Sequence, residues 1–158
     1  MTKQIPDGYH TLTPSFTFKD SQKAIEFYKK AFNAKLLDIF PNLNGKGIMH
    51  ATIQIGNSII MMGDENPNAD CGKSAETLGG SAISLFVYVP NVDEAFKQAI
   101  DAGATIGMPV AEMFWGDRCG SLKDPFGYSW MIATHTQDLT KEQISKNAEA
   151  FFAQMAKG

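Results

Sequence analysis

Apolar and polar positions alternate early in the chain and then change period. Between Leu12 and Phe18, the residues Leu12, Phe16 and Phe18 share one face, and Thr11, Thr13, Ser15 and Thr17 share the other. That two-residue period predicts a strand. Asp20 or Ser21 can cap the helix that follows, in which Ala24, Phe27, Tyr28 and Ala31 recur at helical spacing. Asn33 is a suitable C-terminal stop. Lys35 to Phe40 reads as a second strand. After a turn at Asn44-Gly45, Ile48 to Ile55 and Ser58 to Met62 read as two more strands joined at Gly56-Asn57. The unit is β-α-β-β-β, over about 9–64.

The pattern lapses from Gly63 to Gly80, where Gly, Asn, Asp, Pro and Ser dominate and Leu78 is almost the only large apolar residue. A linker or mobile loop is expected over about 65–80. The unit is then written again over about 81–135. Ile83, Leu85, Val87 and Val89 share a strand face, and Asn91 with Glu94 forms a capping box. Val92, Ala95, Phe96 and Ala99 have helical spacing, and Gly103 ends that helix. Asp20, Ala24, Ile25 and Ala31 align without a gap with Asn91, Ala95, Phe96 and Ala102. Two copies of a unit predict a pseudo-twofold domain, since a solenoid needs three or more. The second copy closes on a hairpin: strand Arg118 to Lys123, turn Asp124-Pro125-Phe126-Gly127, strand Tyr128 to Thr134. Thr140 and Gln143 form a capping box, with Leu139 placed to staple onto Ile144. The helix they open, about 140–156, carries a stripe of Ile144, Ala148, Phe151, Phe152 and Met155 that must be buried against this subunit or another.

Composition narrows the function. The chain has 158 residues, 44% of them hydrophobic, enough for one domain with a real core. A net charge of −3 without basic clusters argues against nucleic acid or an anionic membrane as partner. The N-terminus lacks the apolar stretch of a signal peptide, and no run approaches membrane-spanning length, so a cytoplasmic setting is expected. Cys71 and Cys119 are far apart in sequence and are expected to be free thiols.

The segment WGDRCGSLKDPFGYSWMIATH, which ends at His135, resembles the closing hairpin of the vicinal oxygen chelate superfamily. That group holds glyoxalase I, extradiol dioxygenases and the bleomycin- and fosfomycin-resistance proteins. GYHTLTPSFTF (Gly8 to Phe18), AIEFYKKAFNA (Ala24 to Ala34) and MHATIQIGNSIIMMGDE (Met49 to Glu65) resemble its PhnB-like branch. The resemblance covers nearly the whole chain. It implies an α+β fold in which two β-α-β-β-β modules curl into a partly open, eight-stranded cup. In many relatives two chains complete the cups together, which implies a homodimer.

The resemblance also bears on metal. Enzymes of the superfamily hold one divalent ion with His and Glu side chains, taken from the first and last strand of each unit. The matching positions here are Thr13, Met61, Ser84 and Met131. Hydroxyls are poor ligands for such an ion, and thioethers suit soft ions instead of Zn, Ni, Mn or Fe(II). No tightly bound metal and no other cofactor is expected.

The remaining candidates each carry two readings. His50 shares a strand face with Thr52 and Gln54 and is either an acid-base group of the cavity or a hydrogen-bonded structural histidine. Ser84, Phe86 and Tyr88 lie opposite the Leu85-Val87 face and are expected to line the cup, unless the sheet is buried on both sides. Trp115, with Phe114, can stack on a planar ligand or fill the core. Arg118 can fork onto a carboxylate or phosphonate, or pair locally with Asp117 or Glu112. His135 either overlooks the cavity or is a solvated strand end. The expected function is metal-independent binding of a small organic ligand. The alternatives are a glyoxalase-type lyase, isomerase or dioxygenase using unorthodox ligands such as His50 and Glu65, and an assembly role through the dimer face.

Overall fold

Both predicted units fold as β-α-β-β-β. The structure, a computed structural model, describes residues 2–68 and 72–156. The elements are β1 (Ser15–Phe18), α1 (Ser21–Phe32), β2 (Lys35–Pro41), β3 (Ile48–Ile55), β4 (Ser58–Asp64), α2 (Ala75–Leu78), β5 (Ser84–Tyr88), α3 (Val92–Asp101), β6 (Thr105–Glu112), β7 (Asp117–Lys123), β8 (Ser129–His135) and α4 (Lys141–Met155). The eight strands form two four-stranded sheets, ordered β1-β4-β3-β2 and β5-β8-β7-β6. In each sheet the first strand pairs parallel with the fourth, and the others pair antiparallel. β1 and β5 are therefore both edge strands.

That edge position explains why these two strands are shorter than the alternation predicts. Leu12 lies ahead of β1 and is 86% exposed, and Ile83 lies ahead of β5 and is exposed. An alternating pattern extends a strand only as far as a neighbour offers hydrogen bonds. The local signals elsewhere are realised directly. The Asp20 side chain accepts from Lys23 N–H at the start of α1, and Asn33 ends that helix at φ 54°. Asn91 caps α3 by accepting from Glu94 N–H, and Thr140 and Gln143 bond reciprocally at α4.

Between the units, where a linker or mobile loop was expected, the described residues on either side of residues 69–71 make hydrogen bonds to each other. Ser74 caps the single turn α2, and the Glu65 carboxylate accepts from Ser74 N–H and the Thr77 hydroxyl at 2.8–2.9 Å. Cys71 lies outside the described residues. Cys119 is a buried free thiol whose pKa is pushed up by burial.

α1 and α3 pack against each other and cover one face of each sheet. The core is continuous across the modules: Phe16 of β1 stacks on Tyr128 at 4.4 Å, and Phe18 meets Phe126 edge-on at 5.4 Å. The buried Asp124 carboxylate stitches the same junction. It accepts from the Tyr28 hydroxyl at 2.6 Å, Trp130 Nε1–H at 2.9 Å and the backbone N–H groups of Phe126 and Tyr128, both at 2.9 Å. α4 contributes no fully buried residue. Phe151 and Phe152 pack on Phe114 with ring centroids 5.5 and 5.7 Å away, while Phe152 and Met155 remain 57% and 65% exposed.

Candidate functional site

Strand alternation sends Leu85 and Val87 of β5 into the core and turns Ser84, Phe86 and Tyr88 outward. Phe86 and Tyr88 are 46% and 62% exposed, with ring centroids 5.2 Å apart at an interplanar angle of 34°. Together with Leu85 and Val87 of the opposite face they line a concavity of about 710 Å³ that wraps the edge of β5 and reaches the approach to β1 and the β3–β4 turn. Its floor is apolar, with Phe32, Ile60 and Trp130; Lys35, Gln54 and Gln98 stand among its polar lining. The volume lies within the range of small-molecule sites.

Beside Phe86 and Tyr88 the outward faces of β7 and β8 carry a second feature. Asp117 opens β7 and is only 3% exposed. One carboxylate oxygen accepts from the Tyr88 hydroxyl and from Trp115 Nε1–H, each at 3.0 Å; the other lies 2.7 Å from His135 Nδ1. His135 Nε2 lies 3.0 Å from a carboxylate oxygen of the exposed Asp138. Burial works to raise the Asp117 pKa, but the hydrogen bonds from His135, Tyr88 and Trp115 outweigh it and hold the carboxyl below its usual range. The bonds to Asp117 and Asp138 raise the His135 pKa. Donation to Asp117 raises that of Tyr88.

The structure separates the residues expected to share a cup. Phe86 and Tyr88 line the concavity, and Thr13, which lies ahead of β1 and donates to His10 C=O at 3.0 Å, joins them. Ser84 starts β5 beside Ser129 and is exposed. His50 Nε2 lies 3.2 Å from the Thr52 hydroxyl, with the Phe40 ring alongside at 6.3 Å. Trp115 is half-buried, edge-on to Phe114 at 4.9 Å, with its N–H on Asp117. Arg118 faces away from Asp117, as neighbours in a strand must. It forks onto Asp93 at the start of α3 at 2.8 and 2.9 Å and reaches Glu112 at 3.4 Å, and these carboxylates raise its pKa further. Of the local partners considered for it, Glu112 is met and Asp117 is not.

The sequence reading gave Asp117 no role beyond pairing with Arg118. Counting outward from the Asp124–Gly127 turn sets Asp117 opposite Thr134; the ladder is shifted by one residue and pairs it with His135.

The donor set does not fit the metal of the superfamily's enzymes. Met61 pairs with Ser15 and Thr52 across its sheet, and Met131 with Phe86 and Ser121 across the other. Neither has an acidic or imidazole neighbour in those pairings. Among the described residues no group of three or more His, Cys, Asp or Glu side chains could hold a metal ion.

Two β-α-β-β-β modules with outward-facing strand rows and an aromatic-walled concavity define an α+β protein of the vicinal oxygen chelate type. Comparison with known proteins agrees. The chain matches the Glyoxalase/Bleomycin resistance protein/Dioxygenase superfamily over residues 10–132 and belongs to that family. An uncharacterised protein of Mycobacterium bovis is 35% identical over 135 residues, covering 84% of this chain and 88% of the relative. Among solved structures, TioX from Micromonospora sp. ML1 is 25% identical, covers 83% of this chain and 100% of its own, and superposes with a TM-score of 0.61. The PhnB protein from Bacillus cereus is 21% identical, covers 79% and 99%, and has a TM-score of 0.60, which shows the shared fold.

Proposed function

We propose that this chain binds a small organic molecule without a metal, using the aromatic wall of Phe86 and Tyr88. The observation that carries the reading is the concavity of about 710 Å³ beside two large aromatic side chains left exposed on an edge strand. Exposed aromatic surface costs hydration free energy, and a planar ligand recovers it by stacking. The donor chemistry at Thr13, Met61, Ser84 and Met131 supports the metal-free form over a glyoxalase-type reaction. The reading includes a homodimer in the cytoplasm. The edge strands β1 and β5 and the exposed apolar residues Leu12, Ile83, Phe152 and Met155 are surfaces that a second copy can cover.

The test is a titration with 2-naphthol, a neutral planar probe, followed by the NMR signals of Phe86 and Tyr88. Saturable shifts that vanish in Phe86→Ala are expected. Absence of saturation at millimolar probe sinks the reading. Elemental analysis of unchelated protein is expected to show no stoichiometric Zn, Ni, Mn or Fe; near-stoichiometric metal would favour the lyase alternative.

A further inference from the structure

We propose that His135 and Asp117, together with the Phe86–Tyr88 wall, form a subsite for a planar aromatic carboxylate. The ring lies on the wall and the carboxylate accepts from His135 Nε2–H. The aromatic half rests on the binding reading above; the oxyanion half rests on separate geometry.

That geometry is specific. Asp117 takes His135 at Nδ1, at 2.7 Å, and so leaves Nε2 as the outward nitrogen. Asp117 is itself buried and held by two further donors, so the imidazole is fixed from behind. A carboxylate oxygen already occupies the outward position: Asp138 stands 3.0 Å from Nε2. Asp138 is fully exposed and lies on the segment after β8, so its contact is screened by water and exchanges readily. A ligand carboxylate reproduces that contact and adds ring stacking that Asp138 lacks.

The wall is within reach because Tyr88 donates to the same carboxylate as His135. Along the ladder Tyr88 pairs with Ala133, two residues from His135 on the same face.

The charges around His135 set the pH dependence. Asp117 faces it from β7, Tyr88 from β5 and Asp138 from the segment after β8; Cys119 follows on β7 and is buried. Both carboxylates favour the imidazolium. With Asp117 neutralised by His135, an arriving anion competes with Asp138 alone. Binding is strongest while His135 is protonated and falls as pH rises through its raised pKa.

The experiment titrates the full-length protein with benzoate, acetate and 2-naphthol and follows the His135 ring nitrogens and the Phe86 and Tyr88 signals by NMR. Benzoate is expected to shift both sets saturably and to raise the His135 pKa. His135→Gln is expected to weaken benzoate about tenfold, the value of one charge-assisted hydrogen bond, and to leave 2-naphthol unchanged. Asp138→Asn is expected to hold or tighten benzoate binding, because the competing anion is removed. Benzoate that leaves the His135 nitrogens unmoved in the wild type overturns the proposal, as does unchanged benzoate affinity in His135→Gln. Two failures are told apart by the other probes. If benzoate binds through His135 but 2-naphthol does not bind, the neutral-ligand reading fails and the subsite stands. If 2-naphthol binds and neither benzoate nor acetate moves His135, the subsite falls alone.

Discussion

Asp117 opens β7 and Asp124 directly follows it, both buried, both accepting from aromatic side chains. Their neighbours differ. Every side chain that donates to Asp124 is itself buried: Tyr28 comes from the first module and Trp130 from the second. The donors to Asp117 include Tyr88, more than half exposed, and the exposed His135. The same carboxylate chemistry joins two modules at one end and holds an imidazole toward solvent at the other. A buried acid is structural when its partners are buried with it. It becomes a candidate for function when it orients a group that a ligand can reach.

The comparison can be broken most decisively at Asp124. Asp124→Ala leaves the Tyr28 hydroxyl and the Trp130 N–H without a partner in the core, and a loss of about 3–5 kcal/mol is expected in urea unfolding. A loss under about 1 kcal/mol would remove Asp124 as the junction of the modules. Asp117→Asn, with donors that can turn to water, is expected to cost only about 1–2 kcal/mol.

The tail helix extends the contrast from single residues to surfaces. Light scattering at micromolar concentration is expected to give twice the chain mass, and a clean monomer would count against the dimer. Replacing Phe151 and Phe152 together by Ser then places the stripe. Loss of the dimer with the fold retained puts it across the interface, whereas loss of the fold puts it in the subunit's own core.

A finer comparison uses the two tyrosines. Tyr28→Phe removes a buried hydrogen bond to a carboxylate and is expected to cost about 1.5–3 kcal/mol. Tyr88→Phe, at an exposed position, is expected to cost less than about 0.5 kcal/mol. Similar values for both would erase the distinction between the nodes.

The smallest effect is on pH. The folded-state pKa of His135 lies above its ordinary value of 6.5, so its contribution is fully present below 6.5 and is lost as pH rises through the raised value. Asp117 has the opposite sign: its pKa lies below the ordinary 3.8, and its contribution is present above 3.8 and lost as pH falls. A shallow decline in stability as pH rises above 6.5 that disappears in His135→Gln is expected from pH-dependent unfolding. A wild type and variant with parallel curves would remove His135 from the ion-pair network.

Local signals were legible in the sequence because they act over a few residues. The caps at Asp20, Asn91 and Thr140, the stop at Asn33 and the repeat of β-α-β-β-β need only neighbours within one turn or one strand. Alternation also told which side of β5 faces out, and so found Phe86 and Tyr88. It could not tell where β1 and β5 begin, because an edge strand ends where its single partner ends. The polar composition after Glu65 read as a linker or mobile loop and gave no sign that the Glu65 carboxylate would accept from Ser74 and Thr77.

The grouping of side chains was decided by the tertiary structure alone. Arg118 and Asp117 are adjacent in sequence and on opposite faces of β7, so one meets Asp93 and the other His135. Tyr28 and Asp124 stand 96 residues apart and share a hydrogen bond of 2.6 Å. Strand pleating and helix packing set these meetings, and both depend on register between segments distant in the chain. Sequence periodicity fixes which way a side chain points along its own element; what it meets there depends on the element packed opposite.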